Sequence, residues 1–272
     1  MKAYIYQIEA ISNLHAGSGE ANEGVIDNLV QRDSVTGLPI VNASSLKGAL
    51  REHFKGQDTR LIEHVFGSEV NNKQQKRQAG TYRFFDARLL AIPVRSDKAP
   101  YLMATSPLVL QDYLRNRMLF GLPVEKNLQQ WAQQTPDAVW VDNARYEGAR
   151  IEDLEERVTY NESLDGLSGF IGGGNDMGSV LLPDSDFKML CDNGHLPVFA
   201  RNYLNDGQSE NLWYEQVLPR FSRLYFTVLV PDGDTYFSQF NEYITQSLVQ
   251  IGANATVGYG YCRLTNLSNS NL

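Results

Sequence analysis

Residues 223–230, RLYFTVLV, carry the alternation that decides the fold class. Leu224, Phe226, Val228 and Val230 fall on one side of an extended chain, the signature of a strand that buries a face. Phe237, Phe240, Ile244, Leu248 and Ile251 follow at helical spacing, and residues 256–264, TVGYGYCRL, are punctuated by glycine and then strand-like. The same strand–helix–strand succession opens the chain. Tyr4, Tyr6, Ile8 and Ala10 share one parity across residues 3–11, while Gln7 and Glu9 take the other. In SSLKGALREHF, residues 44–54, Leu46, Ala49, Leu50 and His53 form one stripe, with Ser44 or Ser45 as a cap. Residues 81–94, TYRFFDARLLAIPV, read as a second strong strand, and a helix with Pro107 in its first turn is predicted over residues 107–120. Two such halves predict an α+β fold of ferredoxin-like character, helices packed on a sheet. Residues 124–211 read as an irregular insertion between them, a long loop or hairpin rather than core. The expectation is one domain, a palm from about 1–123 and 212–266 interrupted by that insertion.

Composition sets outer limits. With 272 residues, 42% hydrophobic and 21% charged, the chain is globular and long enough for a sizeable core. Two cysteines, Cys191 and Cys262, exclude a disulfide framework and a four-thiolate zinc site. The start of the chain shows no signal peptide, and no run approaches the roughly 20 apolar residues of a membrane span. The expectation is a soluble, cytoplasmic protein with no membrane partner. The net charge of −8 argues against a polyanion partner only if charge is spread evenly, and it is not. From Lys73 to Arg95 there are six basic residues against Asp86 alone; from Asp142 to Asp165 there are eight acids and three arginines. Such segregation allows one basic face and one acidic face.

The familiar catalytic signatures are missing. His15, His53, His64 and His195 lie far apart, and none pairs with another histidine or cysteine at metal-ligand spacing. No nucleophile elbow, P-loop or dinucleotide fingerprint is present. The phosphate-handling features are better. Ser44, Ser45, Lys47, Gly48 and Arg51 occupy the first turns of one helix, where free N–H groups favour an anion and Lys47 and Arg51 share a face. Gly252, Gly258 and Gly260 let backbone approach a ligand, with Tyr259 and Tyr261 able to stack on bases. Each is equally an ordinary capped helix or a tight turn. Asp27 sits in a loop beside Gly24, where a carboxylate can act as a base or hold a hydrated Mg²⁺; spacing alone does not raise it above Asp33 or Glu23.

Together these segments resemble a known family. Residues 14–51, LHAGSGEANEGVIDNLVQRDSVTGLPIVNASSLKGALR, resemble the N-terminal signature of the RAMP superfamily of CRISPR effector subunits. VFGSE at 65–69, GTYRFFDARLLAIPVRS at 80–96 and LWYEQVLPRFSRLYF at 212–226 resemble the backbone subunit of the type III-B (Cmr) complex, and VGYGYCRL resembles the superfamily's C-terminal glycine-rich loop. The likeness is collinear over nearly the whole chain.

The resemblance implies an RRM-like palm with inserted segments and a β-hairpin thumb. It implies copies stacked along a guide crRNA, beside other Cmr subunits, with the thumb interrupting guide–target pairing at regular intervals. It also implies endoribonuclease cleavage of the target RNA there. The family's catalytic aspartate falls on Asp27, and a divalent metal ion, Mg²⁺ or Mn²⁺, would be bound transiently with the RNA. The implied RNA-binding residues are Gly17, Gly19, Arg32, Ser44, Ser45, Lys47, Arg51, Gly258, Tyr259 and Gly260. The thumb is expected within about residues 143–182, with Leu167, Phe170 and Ile171 as an apolar tip. Ala253 and Asn254 depart from the family pattern, which implies weaker or backbone-borne RNA contacts in that loop. Alternatives are a type III-A (Csm) backbone subunit, a non-catalytic scaffold, and a guide-processing ribonuclease, for which His15 is the nearest base.

Overall fold

The computed structural model describes residues 1–19, 24–68, 78–172, 177–205 and 208–268. Strand β1 (Lys2–Ala10) is followed by β2 (Ile40–Val41), α1 (Ala43–His53), α2 (Thr59–Phe66), β3 (Arg83–Phe84) and β4 (Ala87–Val94). Next come β5 (Leu102–Thr105), α3 (Pro107–Leu119), α4 (Lys126–Ala132), β6 (Trp140–Val141), β7 (Thr159–Tyr160), α5 (Leu167–Ile171), β8 (Ser179–Leu181) and α6 (Asp184–Leu190). The chain then forms β9 (Val198–Asn205), β10 (Gln208–Gln216), β11 (Arg223–Val230), α7 (Phe237–Gln246), β12 (Val249–Gln250) and β13 (Tyr261–Asn266). The main sheet runs β12–β13–β1–β11–β4–β5–β8–β6–β7. At its centre β13, β1, β11 and β4 are mutually antiparallel, so the fourth, first, third and second long strands lie side by side. No helix is long and apolar enough to cross a membrane, among the described residues.

Alternation explains the layers. Tyr4, Tyr6 and Ile8 lie opposite Val228, Phe226 and Leu224 across the β1–β11 ladder. This face meets α7: Tyr4 stacks on Phe237 with centroids 3.7 Å apart, and the Tyr6 hydroxyl donates to Asn241. Phe54, just past α1, packs on Phe240 and Phe66 and closes the layer. The opposite face carries Tyr225 and Thr227 and is roofed by α3. Tyr225 donates to Asp112 at 2.6 Å, Thr227 donates to Asn116, and Arg88 forks onto both Asp112 oxygens. Burial, then the Asp112 charge, push the Tyr225 hydroxyl well above its ordinary value, so it stays a donor. Each large side chain enclosed here contributes about 1.5–3 kcal/mol.

Three sequence expectations are corrected. Residues 124–211 are not a loop: Leu128, Val139, Val141, Leu164 and Val180 lie in the core, and β8 pairs with β5 in parallel. Leu167, Phe170 and Ile171 are no exposed tip. They are buried, and Phe170 packs against Trp131 and Tyr113. Gly166 and Gly172, both left-handed (φ 84° and 87°), bracket a five-residue helix too short to show a period. The free-standing hairpin is instead β9–β10, a separate two-stranded sheet paired from Val198↔Gln216 to Asn205↔Gln208, and the expected boundary at 211/212 falls inside β10. Finally, the last helix stops at Gln246. Ser247 turns extended, leaving Leu248 45% exposed while Ile251 is buried in the following loop. Gly173 and Gly174 lie outside the described residues, as do Lys73, Lys76 and Arg77 of the basic run.

Candidate nucleic-acid interface

Three segments distant in sequence meet at the root of the β9–β10 hairpin. The first is the loop after β1. Leu14 bridges Leu218 and Gly17 bridges Val30, which folds the loop back on itself. His15 is buried, its Nδ1 2.6 Å from the Gln216 carbonyl oxygen. That enclosure removes it as a general base open to substrate. The outgoing arm adds to the hairpin like a short extra strand: Asn28 N–H donates to Tyr214 O and Gln216 N–H donates to Asn28 O. Asp27 therefore stands at the hairpin root. It is exposed, and its Oδ2 accepts the Tyr214 N–H at 2.8 Å. Oδ1 makes no hydrogen bond among the described residues. One oxygen thus orients the carboxylate, and the other faces solvent.

The second segment is the glycine-rich loop. Gly252 (φ 84°) must be glycine because a Cβ there would lie 2.3 Å from the His15 carbonyl oxygen, to which Ala253 N–H donates. Gly260 (φ 76°) is equally constrained, by Ile251 O at 1.9 Å. Their close approach is to the chain's own backbone rather than to a ligand. Gly258 (φ 82°) has open space around it. Tyr259 carries the Arg201 guanidinium at 4.4 Å from its ring centroid, so a partner already covers part of the ring. Behind it Glu215, nearly fully buried, accepts from Arg201 Nε, Trp213 Nε1 and Asn254 Nδ2 at 2.8–3.0 Å. Burial alone would raise the Glu215 carboxyl, but Trp213, His15 and Arg201 outweigh it and hold the group below its ordinary value.

The third segment is α1. Gln31 joins it to the first: its Nε2 donates to Gly17 O and Ser45 Oγ, and its Oε1 accepts the Asn42 N–H. Asn42 is the N-cap residue, not Ser44 or Ser45, and makes no side-chain capping bond. Asp86 Oδ1 takes the Ala43 N–H at 2.7 Å, so the chain's own carboxylate fills part of the anion position. Asp86 turns out of the expected 81–94 strand to do this and splits it into β3 and β4. Ser44 stays exposed, and Lys47 is half-buried with no ion pair among the described residues. Arg51 donates to Gly67 O at the end of α2. Arg32 is a strut: it bonds Gly37 O, Cys191 O, Asn193 Oδ1 and Gln216 Oε1, and burial lowers its basicity. Gly19 (φ 77°) ends the described part of the first loop.

The site thus gathers Asp27, Gly17, Ser45 and the 252–260 loop. Arg32 and Arg51 are spent on carbonyls. Glu215, Gln31, Arg201 and Asp86, which organise it, are not legible as site residues in sequence. Glu215 and Trp213 do lie within the 212–226 block. Among the described residues no three His, Cys, Asp or Glu side chains converge as a metal cage. A single carboxylate with one open oxygen fits a hydrated divalent ion only if RNA oxygens complete its shell.

Known proteins resemble the chain over nearly its whole length. The family model described as the RAMP superfamily matches residues 7–263. The chain is 30% identical over 291 aligned residues to the CRISPR system Cmr endoribonuclease Cmr4 of Pyrococcus furiosus, covering 97% of this chain and 96% of that one. Its fold is similar to that of a chain in the cryo-EM structure of the type III-B Cmr-beta complex bound to cognate target RNA, with a TM-score of 0.78, 22% identity and 98% of each chain covered. It is also similar to oligomeric Cmr4 from Pyrococcus furiosus in its crystal structure, with a TM-score of 0.71, 23% identity, and 99% of this chain and all of that one covered.

Proposed function

This chain belongs to the RAMP superfamily, and from that premise we propose that it is a guide-RNA-binding filament subunit of a type III-B CRISPR effector complex that cuts paired target RNA with Asp27. The observation that carries the reading is the Asp27 carboxylate, anchored through Oδ2 to the root of a free-standing hairpin while Oδ1 stays open. The β13–β1–β11–β4 order supports an RRM-like palm. In this palm α3 roofs the sheet face that an RRM leaves to RNA, so the loops and α1 carry the RNA contacts.

In this reading the wedge is β9–β10. Phe199, Tyr203, Leu212 and Tyr214 are exposed on it, and apolar side chains stack against unpaired bases at low cost. Paired RNA is stiff and holds its 2′-oxygen away from the in-line direction. Splaying one nucleotide at the hairpin frees that geometry, and positioning then supplies most of the rate. The 2′-oxygen attacks phosphorus, the bond to the 5′-oxygen breaks, that oxygen takes a proton from water, and the products carry a 2′,3′-cyclic phosphate and a 5′-hydroxyl. Asp27 orients the 2′-hydroxyl and accepts its proton, held in place by the Tyr214 N–H. A hydrated divalent ion, bound by Asp27 and RNA oxygens, would supply charge neutralisation at the phosphate. Lys47 on α1 contributes a phosphate contact.

The test uses the reconstituted complex, a guide and a matched, end-labelled RNA. Wild type gives evenly spaced cuts. Asp27→Ala keeps RNA binding and loses cutting by at least about 100-fold. Identical ladders from the two proteins would make this chain a scaffold or move catalysis to another residue. Chelation of divalent ions is expected to abolish the wild-type ladder without releasing the RNA.

A further inference from the structure

Away from Asp27, a cavity of about 560 Å³ opens between the palm and the insertion, lined by Arg95, Tyr101, Glu152, Asp153, His195, Arg220 and Phe221 over an apolar floor. Its walls hold an unusual share of the backbone strain. Among the described residues three non-glycines have positive φ, and two of them, Glu152 (φ 47°) and Phe221 (φ 75°), line this one cavity. A bulky aromatic residue in the left-handed region is a true outlier that persists only when its surroundings hold it. Here they do: Phe221 N–H donates to Ala10 O, and Ala10 N–H donates to Ser222 O. On the other wall, Glu152 is clamped by the backbone N–H and Nε of Arg95.

The strain displays particular chemistry. Phe221 lies nearly parallel to Tyr101, with centroids 5.1 Å apart and planes at 15°. The Arg220 guanidinium sits 5.0 Å from the Phe221 centroid and makes no salt bridge among the described residues. Arg95 pairs with Glu152, and the His195 ring Nδ1 lies 2.9 Å from Asp192 Oδ1. Asp153, exposed at the rim, makes no hydrogen bond among the described residues. The cavity therefore offers the Tyr101 ring backed by Phe221, one guanidinium without a salt bridge, and one exposed carboxylate whose charge also acts on Arg95. A ligand complementary to all three has a flat ring system, an anionic group and an edge of N–H donors.

We propose that this cavity binds a single unpaired, amino-bearing nucleotide of an RNA strand, its base stacked on Tyr101, its phosphate on Arg220 and its amino-bearing edge on Asp153. The proposal rests on the RNA-binding reading above but not on Asp27. Uracil alone of the four bases has no amino group, and carbonyl oxygens, which Asp153 repels, flank its single ring N–H on that edge. Stacking and a guanidinium–phosphate contact together hold a nucleotide without base pairing.

The full-length chain is titrated with 5′-GMP, 5′-AMP and 5′-UMP by ligand-observed NMR. GMP and AMP bind, and UMP binds at least about tenfold more weakly. Arg220→Ala, a surface change that leaves the fold intact by circular dichroism, weakens GMP about tenfold, and Tyr101→Leu does the same. Asp27→Ala leaves GMP affinity unchanged, so failure of the cleavage reading and failure of this one are separable. Absence of GMP binding, equal binding of UMP, or GMP affinity unaltered in Arg220→Ala would each overturn the proposal.

Discussion

Glu215 shows how one residue can organise a site it does not face. Its carboxylate ties the hairpin, through Arg201 and Trp213, to the glycine-rich loop, through Asn254. Its folded-state value lies below the ordinary 4.5, so its contribution to stability is fully present above about pH 4.5 and is lost as pH falls through the folded value. Glu215→Gln is expected to lower stability at pH 7 by about 1–3 kcal/mol and to flatten the fall in thermal midpoint between pH 5 and 3. A variant whose midpoint tracks wild type across that range would remove the charged role. Glycine gives a second residue-scale contrast. Gly260→Ala must displace the Ile251 carbonyl as well as strain φ, whereas Gly258→Ala meets only the strain, about 1 kcal/mol. Urea denaturation should rank Gly260→Ala clearly below Gly258→Ala.

At the scale of elements, most of α1 is committed to the fold. Leu46 and Leu50 are buried, Asp86 occupies the Ala43 N–H, and Arg51 reaches back to Gly67. Under the proposed function, α1 has Ser44 and Lys47 left to offer RNA. Lys47→Ala is expected to leave the thermal midpoint unchanged, weaken guide binding for all sequences alike, and reduce the slope of log affinity against log salt by about one. Filter binding at several salt concentrations reads both quantities; an unchanged slope would take Lys47 off the phosphates. The helix pattern around Leu46 and Leu50 was legible because eleven residues suffice to show a period. The cap was not, since Asp86 arrives from the break between β3 and β4, 43 residues beyond Ala43.

For the whole molecule, the main sheet is covered on both faces, by α7 and α1 on one and α3 on the other, while β9–β10 stands as a separate sheet with apolar side chains in solvent. Tyr203 and Leu212 are 57% and 55% exposed, so changing both to serine costs the fold little, within about 0.5 kcal/mol for each site. If the hairpin is the wedge, the double variant keeps its unfolding midpoint and binds guide, yet its cuts weaken or lose even spacing in the reconstituted complex. An unchanged ladder would place the wedge elsewhere.

Periodicity alone marked strands at residues 3–11, 81–94 and 223–230 and the helices of both halves, because each repeats its pattern and buries a face that must be apolar; their ends, and the break at Asp86, were set by the fold. Local motifs marked Asp27, the α1 turn and the glycine-rich loop as related to one family. Only the tertiary structure decided which of these groups are free to act. Arg32 and Arg51 look like phosphate ligands in sequence and are held by carbonyls in the fold. Leu167, Phe170 and Ile171 look like a flexible tip and are core, since a five-residue helix between two left-handed glycines carries no readable period. The junction of the 198–216 hairpin with Asp27 depends on a bond between residues 187 positions apart, from the Tyr214 backbone N–H to the Asp27 carboxylate, and no local pattern encodes a contact of that range.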